Sequence, residues 1–230
     1  MSSKKKELSF SLSDLNILIL GAKLGIGASL ARICGEQDAN VILVDKEEPI
    51  ELADNLKQLA AANIVTYGCD IANRDAVESL AAELSQRNYA PHSVALTAGI
   101  TFYNDWLETD NETWDRDVEH IFNVNLAGPI NVARSFLPIM EKNNWGRMVL
   151  VGSIAGRMGG LTSQPHYAAS KGGVHSLTRW LASKYAPSGV LVNAVAPGPT
   201  ETRMTEGRSI DTSKLPLRRM LDPEDIAWPI

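Results

Sequence analysis

The run NILILGAKLGIGASLARICGE, residues 16–36, decides the architecture. Its opening NILIL is a short apolar run bounded by a turn signal, which reads as a buried strand. From Gly25 onward, GIGASLARICGE places apolar residues at helical spacing, so a helix follows. Between the two lies GAKLGIG, with Gly21, Gly25 and Gly27. Glycines at a strand-to-helix turn let the backbone bend sharply and approach a bound group, and the positive helix N-terminus favours an anion there. Tight turns also use glycine for steric reasons alone, so the surrounding pattern carries the decision.

Working outward, short apolar runs alternate with amphipathic ones. Further strands are expected at NVILVD (40–45), NIVTYGCD (63–70), SVALTAG (93–99), GRMVLVGS (146–153) and GVLVNAVAPG (189–198). Helices are expected at EEPIELADNLKQLAAA (47–62) and RDAVESLAAELSQR (74–87), in one long stretch over 111–142 with Asn125 near its middle, and over 167–186. Nearly every strand is continuously apolar, the mark of a parallel sheet covered on both faces. The expected class is α/β: a doubly wound parallel sheet with helices on both faces, the Rossmann fold, in a three-layer sandwich. A single domain over 12–230 is expected, behind a flexible tail at 1–11. Such sheets bind ligands beyond the carboxyl ends of their strands. Those ends carry Gly21, Asp45, Asp70, the TAG at 97–99, Ser153 and the PG at 197–198.

Composition narrows the function classes. A hydrophobic fraction of 44% with 21% charged residues is that of a globular chain rather than a disordered one. A net charge of −5 disfavours nucleic acid as partner, since phosphate binding needs a basic surface. No run approaches the roughly 18 apolar residues of a membrane span, and the leader MSSKKKELSFSLSDL has no apolar core for a signal peptide. Cys34 and Cys69 form neither a CxxC pair nor a zinc spacing and read as buried free thiols of a reducing cytoplasm. His92, His120, His166 and His175 make no metal-ligand pattern, so no metal is expected. His166, beside Tyr167, is a candidate lining of a substrate pocket.

Asp45 ends the second strand, where a carboxylate can accept hydrogen bonds from an adenosine ribose. The same carboxylate would repel the extra phosphate of NADP, which favours NAD. Lys23 and Lys46 pull the other way, since either ammonium can attract that phosphate. A Rossmann-like methyltransferase is a poorer fit: the position before the first glycine is Leu20 rather than an acid, and the spacing GxxxGxG is long for that class. In PHYAASKGGV (165–174), Tyr167 and Lys171 stand one helical turn apart on one face, among small residues. A phenol beside an ammonium is a candidate proton-transfer pair; such a spacing also occurs on plain solvated helices.

Together these segments resemble the short-chain dehydrogenase/reductases, in their shorter single-domain branch, from about Leu12 to the last residue. The glycine loop is similar to that family's TGxxxGIG, and CDI (69–71) to the acidic-hydrophobic pair against the adenine. TAG (97–99) is similar to the tail of NNAG, NVNLAG (123–128) to the segment with a catalytic asparagine, and VGSIAG (151–156) to the serine motif. YAASK fits YxxxK, and PGPTET (197–202) resembles the segment that closes over the nicotinamide. The resemblance implies Asn125, Ser153, Tyr167 and Lys171 as catalytic residues. It implies a cofactor site of Gly21, Lys23, Leu24, Gly25, Ile26, Gly27, Asp45, Asp70, Ile71, Ala98, Gly99, Tyr167, Lys171, Pro197, Gly198, Thr200 and Thr202. Three departures stand out: Leu20 replaces the usual threonine, Leu96 and Thr97 replace both asparagines of NNAG, and LDPEDIAWPI opens a helix just where the sequence stops. The first loses a structural hydroxyl but keeps the strand apolar, the second predicts altered stability or weaker cofactor binding, and the third suggests a truncated chain.

The implied reaction is hydride transfer between a nicotinamide cofactor and a secondary alcohol or ketone, with Tyr167 as general acid/base. A free phenol titrates near 10, too high for a base at neutral pH. An ammonium about 4 Å away, at an effective dielectric near 20, would favour the phenolate by roughly 4 kcal/mol before desolvation, so Lys171 is expected to lower the Tyr167 pKa. By resemblance Lys171 also bonds the nicotinamide ribose, Ser153 orients the substrate oxygen, and Asn125 holds a relay water. Candidate substrates are secondary alcohols, sugars or polyols, and 3-oxoacyl thioesters of coenzyme A or a carrier protein, the last because of Arg203, Arg208, Arg218 and Arg219 in the polar segment after Pro197. That segment reads as a lid. The helices over 111–142 and 167–186 are implied to pair across subunits in a homodimer or homotetramer. An idle dinucleotide-binding sensor or scaffold is the alternative from another class.

Overall fold

Six strands hydrogen-bond in one sheet: β1 (Asn16–Leu20), β2 (Asn40–Asp45), β3 (Ile64–Gly68), β4 (Ser93–Leu96), β5 (Gly146–Val151) and β6 (Val190–Val195). All pairs are parallel and the spatial order is β3-β2-β1-β4-β5-β6. This is the order of the doubly wound dinucleotide fold, and it reverses between β1 and β4. The computed structural model describes residues 11–59, 63–160 and 163–230; nearly all of the expected tail lies outside them.

Each face carries its own core, which is why β1 is apolar at successive positions. Leu18 and Leu20 point into a cluster with Phe136, Leu137, Met140, Val174 and Leu181. Ile17 and Ile19 point the other way, against Ile33, Cys34, Leu43 and Leu56. Burying a Leu or Ile side chain contributes about 1.5–3 kcal/mol, so both faces must be covered. α3 (Arg74–Gln86), α5 (Gly128–Lys142) and α7 (Pro165–Tyr185) cover the first face; α1 (Gly25–Glu36), α2 (Ile50–Leu59) and α8 (Pro223–Ala227) cover the second. α4 (Asn111–Phe122) precedes α5, and the short α6 (Ala155–Met158) precedes α7.

Several boundaries differ from the sequence expectation. The stretch over 111–142 is not one α-helix: a π-helical turn at Asn123–Ala127 separates α4 from α5. α2 starts after Pro49, since proline disfavours helical backbone in the residue before it, here Glu48; its expected last three residues lie outside the described ones. α7 begins earlier, with Pro165 in its first turn, where the missing N–H costs nothing. The strands over 93–99, 146–153 and 189–198 leave the ladder at Leu96, Val151 and Val195, freeing their last residues for the site. β6, at the sheet edge, alternates buried and exposed positions rather than being buried throughout. α8 opens as expected, with Asp222 and Asp225 forming a capping box around Pro223.

Candidate active site

The β1–α1 turn and the end of β4 meet backbone to backbone where the strand order reverses. Gly21 has φ +87°, and a Cβ there would lie 2.4 Å from the Ala98 nitrogen. Gly27 packs as closely, since a Cβ on it would lie 2.1 Å from the Gly21 oxygen. The Leu20 oxygen accepts from both the Thr97 and Ala98 N–H groups, at 2.8 and 3.0 Å. Thr97 adds a hydroxyl between the Leu20 and Gly21 oxygens, at 3.0 and 2.9 Å. The departure at Thr97 thus leaves a side-chain bond across the sheet centre.

At the end of β2, Asp45 accepts from the Lys23 N–H at 3.0 Å and from the Lys46 N–H at 2.8 Å, one per carboxylate oxygen. Lys23 is turned outward onto Glu47, and Lys46 pairs with Asp70 at 3.0 Å. Burial raises the Asp70 pKa, but the hydrogen bonds from Lys46 and the Ala72 N–H outweigh it and hold the carboxyl low. Ile71 is buried against Gly128, and its oxygen accepts from Asn131 at 3.0 Å. After β6, the Pro197 oxygen accepts from the Ile154 N–H at 3.0 Å, and the Gly198 oxygen accepts from the Thr200 hydroxyl at 3.0 Å. Thr202 approaches Gly25, bringing the start of the expected lid onto the glycine loop.

Lys171 and Asn125 meet beside Gly99, with Tyr167 one helical turn before Lys171 and Ser153 just past the end of β5. The Lys171 side chain is buried and its Nζ donates to the Val151 oxygen at 2.9 Å; without a carboxylate beside it, burial pushes its pKa down to about 8. A Cβ at Gly99 would sit 3.0 Å from that Nζ and 3.4 Å from Asn125 Oδ1. Asn125, in the π turn, clamps Ile100 through both main-chain groups at 2.8 Å and donates to the Ser170 hydroxyl at 3.2 Å. The Tyr167 phenol is raised, not lowered. Burial acts first, a hydrogen bond with Ser153 opposes it, and the Tyr103 phenol adds to the rise. Lys171 is turned to Val151, its Nζ 5.9 Å from the Tyr167 ring centre, which is why its charge does not dominate as the spacing suggests.

Two contributors escaped the sequence reading. His175 Nε2 accepts the Ser153 N–H at 3.4 Å and packs against Gly152; burial first, then Arg179, Lys171 and Arg157, lower its pKa and keep it neutral. Tyr103, beyond the clamped Ile100, adds to the rise of the Tyr167 phenol. No motif marks either residue. His166 is buried against Trp114, ring centres 5.2 Å apart, and neither ring nitrogen has a hydrogen-bond partner among the described residues.

A family model described as short chain dehydrogenase matches residues 15–212. The chain belongs to the short chain dehydrogenases. An acetoacetyl-CoA reductase from Synechocystis sp. is 32% identical to this dehydrogenase over 97% of the chain and 89% of its own length. A galactitol 2-dehydrogenase (L-tagatose-forming) from Cereibacter sphaeroides is 36% identical over 85% of the chain and 75% of its own. The crystal structure of a 3-oxoacyl-[acyl-carrier protein] reductase with bound NAD from Brucella melitensis superposes with a TM-score of 0.84 at 28% identity, covering 95% of this chain and 83% of that one. The dehydrogenase is therefore an NAD(P)-dependent oxidoreductase.

Its residues fit a nicotinamide dinucleotide. No side chain caps the N-terminus of α1 and its first turn carries no acid, which leaves main-chain donors for a pyrophosphate. Asp45, with one oxygen on each main-chain donor, keeps lone pairs for ribose hydroxyls. Lys171 Nζ, with a single acceptor among the described residues, keeps donors for a further hydroxyl.

Proposed function

We propose that the dehydrogenase interconverts a secondary alcohol and a ketone with NAD, through Tyr167 as general acid/base, Ser153, Lys171 and Asn125. The observation that carries this reading is Lys171, buried one helical turn from Tyr167, its Nζ 5.9 Å from the phenol ring centre and bonded to the Val151 oxygen two residues before Ser153. The nicotinamide ring, when bound, supplies or accepts the hydride. Burial keeps Tyr167 in its phenol form, so the proton needed by a carbonyl oxygen is in place for reduction. Ser153 orients that oxygen. In the reverse direction the phenolate form of Tyr167 takes the hydroxyl proton, and the neighbouring Lys171 charge favours that form. Asn125 supports Ile100 and borders Lys171, where a water can relay protons outward.

The pairing of Lys23 with Glu47 and of Lys46 with Asp70 supports NAD over NADP, because each cation already has a carboxylate and Asp45 adds a further negative charge. The site residues of the glycine loop, of Asp70–Ile71, of Ala98–Gly99 and of Pro197–Thr202 belong to the same cofactor reading. A homodimer or homotetramer through α4, α5 and α7 is supported by the exposed Ile130 and Trp180 on two of these helices. The free buried thiols Cys34 and Cys69, raised by burial to about 12 and about 11, suit a reducing cytoplasm. A second reading, reduction of 3-oxoacyl thioesters, is favoured by the similarity to the Synechocystis acetoacetyl-CoA reductase and the Brucella 3-oxoacyl-[acyl-carrier protein] reductase.

The test is NADH and NADPH binding, then turnover over ketones, sugars and oxoacyl thioesters, with Tyr167→Phe as control. Turnover in wild type that vanishes in the control supports the mechanism. Turnover undiminished by the substitution sinks it, and tight NADH binding with no turnover on the whole panel favours the sensor.

A further inference from the structure

Asn125 holds Ile100 at the end of β4, and three residues on, Tyr103 is near enough to Tyr167 for its phenol to add to the rise of the Tyr167 pKa. Over the Tyr103 ring lies the Arg208 guanidinium, its central carbon 3.4 Å from the ring centre. The other cation–ring approaches among the described residues are longer, from 4.5 to 5.9 Å. Arg208 belongs to the segment after β6 that first meets the glycine loop at Thr202, so the stack joins the lid to the wall of the cleft.

Stacking occupies the flat face of a guanidinium and leaves its N–H edge free. Among the described residues the Arg208 side chain donates no hydrogen bond and pairs with no carboxylate, and the Tyr103 hydroxyl has no partner. Arg219 in the same lid behaves differently: it donates to Asp225 and to the Met220 oxygen, both at 2.8 Å. The segment thus holds one arginine tied into its own fold and another stacked on Tyr103 with its donors unspent.

We propose that Arg208, seated on Tyr103, binds an anionic group of the substrate, so that the enzyme acts on ketones bearing a carboxylate or phosphate in preference to neutral ones. The inference rests on the reading of Tyr167 as the acid/base that marks the reacting carbonyl. A guanidinium grips either anion through two parallel N–H bonds, and such charge-assisted pairs are the strong ones. Arg208 is a specificity residue in this scheme and takes no part in proton transfer.

The experiment compares matched substrate pairs with NADH: a 3-oxo carboxylate against its methyl ester, and hydroxyacetone phosphate against hydroxyacetone. An oxoacyl-CoA against the N-acetylcysteamine thioester of the same acid separates coenzyme phosphates from a charge on the acyl part. Wild type is expected to favour the anionic member of at least one pair by about tenfold or more in kcat/KM, carried by KM. In Arg208→Gln that ratio falls toward one, in Arg208→Lys it recovers in part, and in Tyr103→Leu it weakens. An unchanged ratio in Arg208→Gln, or no anionic preference on any pair, overturns the proposal. Titration of protein loaded with oxidised NAD, with acetoacetate and with inorganic phosphate, reads the same contact without turnover, and equal binding by wild type and Arg208→Gln overturns it as well. Tyr167→Phe keeps the two readings apart: surviving turnover there defeats the acid/base assignment, while the anionic ratio still reports on Arg208.

Discussion

The two halves of the cleft are built by opposite means. On the cofactor side, Gly21, Gly27, Leu20 and Ala98 are in backbone contact, with hydrogen bonds closing the junction between β1 and β4. On the proposed substrate side, Tyr103 and Arg208 present side-chain polar groups that no described residue satisfies. A nucleotide binds through its phosphates and ribose, and main-chain donors on a rigid turn meet that need. Substrates differ in their side groups, so the recognising residues are side chains on loops. The contrast predicts that damage on the first side shows as lost folding or cofactor binding, and damage on the second as altered choice and rate.

The sharpest probe of that division is Tyr167→Phe. Turnover should fall by about 10²–10⁴-fold while the NADH dissociation constant moves only a few-fold, read by steady-state kinetics and fluorescence titration. A parallel collapse of NADH binding would break the comparison.

Gly27→Ala comes next. Its Cβ would press on the Gly21 oxygen at 2.1 Å and the Thr97 hydroxyl at 2.7 Å. Overpacking of this kind costs about 1–3 kcal/mol, and denaturant unfolding should show a loss near the top of that range, with NADH binding lost in step.

Lys171→Met should be more stable and nearly inactive. Burial lowers the lysine from 10.5 to about 8, which at about 1.4 kcal/mol per pH unit is a cost on the order of 3 kcal/mol. Loss of the bond to Val151 returns about 1 kcal/mol of that, leaving a net gain of about 2 kcal/mol at neutral pH. The sign follows from linkage: between about 8 and 10.5 the unfolded chain holds the proton that the folded one has released, so this lysine's penalty shrinks as pH rises through that window. Unfolding measured from pH 7 to 10.5 should show wild type closing on the variant. A constant gap would mean that Lys171 is not penalised by burial.

The smallest expected effect is Thr97→Val, which keeps the shape and removes the hydroxyl between the Leu20 and Gly21 oxygens. Thermal or denaturant unfolding should report a loss of about 1 kcal/mol, with turnover per folded molecule little changed.

Most of the cofactor side was legible in the sequence. Gly21, Asp45, the Ala98–Gly99 pair and Ser153 follow from where apolar runs stop, because a parallel sheet puts its ligand site at those ends. The pair Tyr167 and Lys171 follows from helical spacing. The direction of the Tyr167 shift did not, since desolvation depends on what surrounds a phenol and not on what stands four positions away. The π turn at Asn125 was also hidden: its residues suit a helix, and the extra backbone residue shows only in the hydrogen-bond pattern.

By itself the sequence determined the strand–helix alternation, the covered parallel sheet and the residue types of the glycine turn and proton-transfer pair, because periodicity and backbone sterics are local. Only the tertiary structure decided that Lys171 turns to Val151, that Thr97 bridges β1 and β4, that His175 holds the Ser153 main chain and that Arg208 lies on Tyr103. Each of these joins residues about 20 or more positions apart, and such contacts exist only once the sheet brings its strand ends to one edge.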